Sequence, residues 1–400
     1  MTTTPAQGIM PLQGFTVLDL SQGVAGPYCA QLLASQGAKV IKVEPPQGDW
    51  GRHVGVAKNG HSTISSTYNS GKQSLAIDAK HPDGKAVILQ LAEQADIIIQ
   101  NFRPQVVQRL GLDNESLRAR GLKPVYISIS GYGPDGPFAD YPATDSVMQA
   151  DSGLMHTNRD AEGTPKRIGM LLADIAAGVY AAQACTAALL HKVRTAEGSH
   201  VQINLFNVCC ALQSTVFSEE AAGAQANGQA VSAPNGVFDA ADGKLTLLAL
   251  NNEQFLRICK AFELRHWETD PRFASNELRL KHKVQLHAEL SQIVARQPLE
   301  QLEPLLRRHQ VLHARVRDGK SVVEHPQASH LHTFQTIDQP NFGPVVWAAA
   351  PWACHAGAAQ PAPCIGEHSQ AILRDLGLGL HDIADLVARH VVAIGSDAKG

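Results

Sequence analysis

Between Ile168 and Leu190 the chain reads IGMLLADIAAGVYAAQACTAALL, and Asp174 is its only charged side chain. A buried carboxylate is costly unless it is paired or protonated. A helix that keeps one either exposes it at its own start or uses it. Used, it can attack an acyl group as a covalent nucleophile. Exposed, Asp174 caps a helix beginning at Ile175, with Leu171 to Ala173 extended before it. The two readings are compatible, because a helix N-terminus favours the ionised form.

Three other stretches could meet a ligand. In SQGVAGPYC a strand ends, glycines follow and a helix begins, a turn that leaves backbone N–H groups free for an anion. Glu44 ends the next strand, where a dinucleotide fold places its ribose-binding acid, but the three-glycine fingerprint is missing. In QNFRPQVVQRLGL, Asn101, Phe102 and Arg103 follow a strand, and Arg103 and Arg109 carry the planar fork that suits phosphate. The alternative is two solvated surface arginines. ISGYGPDGPFADYPATD is a rigid loop of glycines, prolines and tyrosines ending near Asp145. Thr144 and Asp145 are also good helix caps. The 18 histidines show no metal-ligand spacing, so no metal site is expected.

These residues need a frame. GFTVLDL reads as a buried strand, and Pro27 opens a helical stretch that stops at Gly37. AKVIKVEPP is a second strand, which completes a βαβ unit. A helix (HPDGKAVILQLAEQA) and two strands (ADIIIQNF, PVYISISGYG) follow, so the class is α/β with a parallel sheet covered by helices. The stretch from about Glu219 to Ser232 is rich in Ala, Gly and Gln and reads as a linker. GVFDAADGKLTLLAL is a hairpin around Ala-Asp-Gly, and Asn252 to His309 is helical. The expected division is a large domain over 1–220, a smaller α+β domain over 225–325 and a C-terminal segment over 326–400.

With 400 residues the chain exceeds one core. A net charge of -3 excludes nucleic acid and anionic membrane as evident partners. The apolar stretch at 168–190 matches a membrane span in length, but a charge mid-span costs roughly 2.5–3.5 kcal/mol, and a buried core helix is expected. The N-terminus lacks the pattern of a signal peptide. Seven widely spaced cysteines with no C-x-x-C read as reduced thiols of a cytoplasmic protein.

In order and spacing, PLQGFTVLDLSQGVAGPYCAQLLASQGAKVIKVEPPQGD, YNSGKQSLAIDAKHPDGK, IIIQNFRPQVVQRLGL, ISGYGPDGP, LLADIAAG and IGEHSQAILRDLGL resemble the family III CoA-transferases. The resemblance implies a Rossmann-like large domain completed by the C-terminal segment, a small domain, and two chains interlocked like links. It places the catalytic aspartate at Asp174, which would carry coenzyme A (CoA) as an aspartyl thioester. Acyl-CoA and a small carboxylate are then the substrates, with no resident cofactor. By the same match CoA lies along Ala25, the adenosine-end residues Ile77, Asp78, Ala79 and Lys80, then Asn101, Phe102, Arg103 and Arg109. Lys72 is a further basic candidate, and Tyr141 to Asp145 approach the pantetheine.

The sequence departs from the family pattern in the first turn, where Val24 replaces a glutamine of some members. The glycine-rich loop of the oxalate enzyme has no counterpart, which argues against oxalate; with the LLADIAAG context it suggests a small dicarboxylate such as succinate, itaconate, mesaconate, citramalate or malate, with succinyl-CoA as donor. Arg257, Arg279 and Arg315 are the candidates to bind a second carboxylate. The rival on the same fold is an α-methylacyl-CoA racemase, which needs an acid/base pair; Thr144 stands where racemases carry a histidine. A non-catalytic acyl-CoA-binding protein and a nicotinamide dehydrogenase are the remaining alternatives.

Overall fold

The computed structural model describes residues 10–160, 162–223, 231–352 and 359–395. Part of the expected linker (224–230) and Cys354 lie outside them. The chain divides into two compact units, Met1–Ser218 with Gln327–Gly400, and Glu219–Pro326.

The larger unit is built on a seven-stranded sheet. Its strands are β1 (Thr16–Asp19), β2 (Lys39–Glu44), β3 (Gln73–Ile77), β4 (Ile97–Gln100), β5 (Val125–Ser130), β6 (Ser199–Asn204) and a short final strand, β7 (Val392–Ala393). Their spatial order is β7-β3-β2-β1-β4-β5-β6. All neighbours run parallel except β7, which pairs antiparallel with β3 through Val392 and Ile77. The chain therefore winds outward from β1 in both directions. The crevice at the carboxyl ends of β1 and β4 is the place where such sheets bind ligands.

The run Ile97, Ile98, Ile99 shows why both faces are covered. Successive strand side chains point to opposite faces. Ile97 and Ile99 join the core with helices α1 (Ala25–Ala34) and α5 (Leu172–Thr195), while Ile98 joins the core with α2 (Pro82–Gln94) and the helices Ser369–Asp375 and Leu380–Ala388. A continuous apolar run is what a doubly covered parallel strand requires.

Helix α5 starts at Leu172, not at Ile175, so Asp174 lies within its first turn and does not cap it. By length and composition α5 could cross a membrane; half of its apolar window is buried within the protein. Gly178 explains its fit. A Cβ there would lie 2.9 Å from the Ala25 carbonyl and 3.0 Å from Tyr28, so only glycine lets α5 pass this close to α1.

The smaller unit holds a three-stranded antiparallel sheet, formed by the hairpin Asn235–Ala240 and Gly243–Leu248 with Leu312–Arg315 alongside. Helices such as Asn252–Ala261, Lys283–Val294 and Leu299–Arg308 close its core around Phe255, Trp267 and Leu290.

Candidate active site

The turn after β1 is held from beneath by buried charges. Lys72 Nζ donates to Asp19 Oδ2 at 2.7 Å, to the Pro27 carbonyl at 2.9 Å and to Asn69 Oδ1 at 2.9 Å. Lys42 pairs with Asp49 at 2.9 Å, and Arg52 forks onto Glu44 with two 2.7 Å bonds. Burial pushes the Lys72 ammonium down to about 8, against the pull of Asp19. Burial opposes ionisation of Asp19 as well, but Lys72 and Lys42 outweigh it and hold that carboxyl below its usual range.

This network bears on three readings of the sequence. The first three amides of the turn are not free for an anion. Ser21 N–H donates to Asp19, Gln22 N–H to Asn101 Oδ1 and Gly23 N–H to Asp49. Glu44 is engaged by Arg52 and Ser74 and is no ribose acceptor. All three Lys72 protons are engaged inside the protein, so Lys72 supports the turn instead of meeting a ligand.

Asp174 is half-buried and has no hydrogen-bond or ion-pair partner among the described residues. Burial, and then the charge of Asp145, push its carboxyl up to about 7. The expected ionising effect of the helix start does not win: a dipole contributes at most about 2 kcal/mol in partly buried geometries. Tyr68 in turn feels Asp174: its hydroxyl is pushed up to about 12, chiefly by burial and in part by Tyr28 and Asp174.

The start of α5 is fixed by α4 (Asp145–Asp151). Asp145 Oδ2 accepts from Ala173 N–H at 2.8 Å, and its Oδ1 accepts from Gln149 Nε2 at 2.7 Å. Gln149 also donates to the Met170 carbonyl at 3.2 Å and accepts from Ile168 N–H at 2.9 Å. One buried carboxylate and one buried amide thus pin the segment that delivers Asp174.

Asp174 opens into a cavity of about 260 Å³, whose walls include Gln22, Ala25, Trp50, Asn101, Thr144 and Asp145. A second cavity of about 910 Å³ runs past Pro45, Ile77, Asp78, Lys80, Arg109 and His390. Gln22 and Phe102 line both. The walls come from the carboxyl ends of β1 to β5. Of the residues picked from sequence, Ala25, Asn101, Phe102, Asp145 and Asp174 line the first cavity. Ile77, Asp78, Ala79, Lys80, Phe102 and Arg109 line the second. Tyr141 stands apart, 4.8 Å from the Phe138 ring in a shallow cavity of its own. Arg103 is exposed at the start of helix α3 (Pro104–Leu110) and lines neither.

Sequence reasoning missed Gln22, Trp50, Gln149 and His390. Gly23 carried a signal for Trp50: its φ of +80° and the indole lying where its Cβ would be demand glycine. His390 reaches the site only because the C-terminal strand returns to β3, where the Val391 carbonyl also accepts from Asp78 N–H at 2.8 Å.

An acid poised near neutrality at the mouth of a two-part crevice defines an acyl- or proton-transfer site for an extended ligand. The model of CoA-transferase family III matches residues 12–369, so the chain belongs to that family and is an enzyme that transfers CoA. It is 35% identical over 303 residues to the succinate–glutarate CoA-transferase of Agrobacterium fabrum, covering 72% of this chain and 75% of the relative. Against the acetyl-CoA:oxalate CoA-transferase of Acetobacter aceti it is 34% identical, covering 74% and 78%. The crystal structure of a CAIB/BAIF family protein from Brucella suis superposes with a TM-score of 0.82 at 28% identity, covering 92% of this chain and 100% of the other.

Proposed function

We propose that the enzyme moves CoA from succinyl-CoA to a second small dicarboxylate through a thioester on Asp174. The observation that carries this reading is the unpartnered Asp174 carboxyl facing the cavity that the Rossmann-like crevice feeds. A carboxylate oxygen of Asp174 attacks the donor thioester carbonyl; the C–S bond breaks and the CoA thiolate departs, leaving a mixed anhydride. The thiolate then attacks Cγ of Asp174, which frees succinate and leaves aspartyl-CoA. The acceptor carboxylate attacks Cγ, and the same two steps run in reverse. No water enters and no redox or metal chemistry is required, so the acyl energy is conserved.

Asp145 and Gln149 position the nucleophile. Lys80 and Arg109 are the cations available to CoA phosphates, with His390 beside them. The relatives named for succinate, glutarate and oxalate support a dicarboxylate class. Oxalate stays within that class, since one relative is named for it.

We further propose an interlocked homodimer in the cytoplasm. Support comes from the exposed apolar stripe Val179, Leu190 and Val193 along α5, and from the six free cysteines among the described residues.

The racemase reading has one observation in its favour, since a carboxyl near 7 also suits proton transfer. The position before Asp145 is Thr144, which cannot act as its partner base. The test is isotope exchange. Enzyme with succinyl-CoA and labelled succinate, and no other acid, should return labelled succinyl-CoA. Solvent deuterium appearing α to the thioester, without label exchange, would replace transfer by racemisation.

A further inference from the structure

Among the described residues, the cavity that receives the acids is lined by two carboxylates, Asp145 and Asp174, and by no lysine or arginine. A dicarboxylate that reacts through one end must place its other anionic end in a pocket that repels it. The arginines suggested by sequence for that end are engaged elsewhere. Arg257 pairs with Glu253, Arg315 pairs with Glu303, and buried Arg279 donates to Ala233, Asn252 and Phe273 inside the smaller unit.

Among the described residues, one cation is paired with a carboxylate of that cavity. Arg167 lies 3.8 Å from Asp145 Oδ1 and makes no hydrogen bond among the described residues. Asp145 does not depend on it, because Ala173 N–H and Gln149 already satisfy its two oxygens. An ion pair of this kind, with the guanidinium 42% exposed, is weak because solvent screens it. Leaving it costs Arg167 little, whereas a carboxylate in reach can take two parallel hydrogen bonds from the fork. Its neighbour Ile168 is held by Gln149, so the backbone is fixed while the side chain is held only by that weak pair among the described residues.

We propose that Arg167 is the specificity residue that binds the distal carboxylate of the dicarboxylic acid, moving off Asp145 to do so. This rests on the transferase reading of the same site and adds the group that selects two-headed acids over one-headed ones.

The test compares wild type, Arg167→Gln and Arg167→Lys with glutarate and with valerate, a monocarboxylate of the same chain length, as acceptors from succinyl-CoA. The readout is the ratio of kcat/KM for the two acids. Arg167→Gln should lower that ratio at least tenfold, mainly through KM for glutarate, and Arg167→Lys should recover part of it. Equal losses on both acids would overturn the proposal and leave Arg167 as a brace for Asp145. Failure of the underlying reading looks different: wild type itself would then transfer CoA to neither acid.

Discussion

At the residue scale the account turns on a carboxyl that is hard to ionise. Asp174 titrates near 7 in the folded chain and near 3.8 when free. The folded state therefore binds the extra proton between those values, and stability falls as pH rises through that window. Above it, Asp174→Asn should be more stable than wild type by about 2–4 kcal/mol. Thermal melts at pH 5 and pH 8 check this: the mutant's advantage should be larger at pH 8. The same titration governs rate. Only the carboxylate attacks, so kcat/KM for succinyl-CoA should rise with pH up to about 7 and then level. A flat profile from pH 6 to 8 would show that another group limits the first step.

Asp174 was legible in the sequence because a lone charge in 23 apolar or neutral residues stands out. Lys72 shows the opposite case. A basic residue near a ligand-binding turn looks the same in sequence whether its ammonium faces solvent or, as here, Asp19, Asn69 and a carbonyl. Gln149 left no signal at all, since its role depends on backbone groups 19 and 21 residues away.

At the scale of elements, the alternation of strands and helices gave the parallel sheet directly. Short apolar strands flanked by Pro and Gly leave few alternatives. Helix α5 begins between the two starts that the sequence offers: apolar residues begin at Ile168 and the capping reading starts the helix at Ile175, while the backbone becomes helical at Leu172. The final strand was missed because two residues, Val392 and Ala393, carry no periodicity. The contact of α5 with α1 is where one atom matters most. Gly178→Ala places a methyl against the Ala25 carbonyl and should cost about 1–3 kcal/mol through overpacking. Chemical denaturation should show the midpoint falling with an unchanged slope. It should also depress turnover, because α1 and α5 carry Ala25 and Asp174 to the same cavity.

At the scale of the molecule, the chain's end completes its beginning. The segment after Cys364 is tied to β3 by Gly366 N–H to Ser74 and by β7, and it brings His390 to the crevice. No local pattern announces a link between residues some 300 positions apart. The proposed dimer belongs to this scale too. Leu190 is 52% exposed on the apolar stripe of α5. Leu190→Glu should shift the sedimentation coefficient from dimer toward monomer, whereas a dimer unchanged by it would mean that this face is not the interface.

The central claim is that CoA becomes covalently attached to Asp174. Intact mass of the purified enzyme after brief exposure to succinyl-CoA tests it most directly. Wild type should gain the mass of CoA less water, hydroxylamine should remove it, and Asp174→Ala should show none. An adduct that persists in Asp174→Ala, or no adduct with any acyl-CoA that the enzyme turns over, would contradict the account.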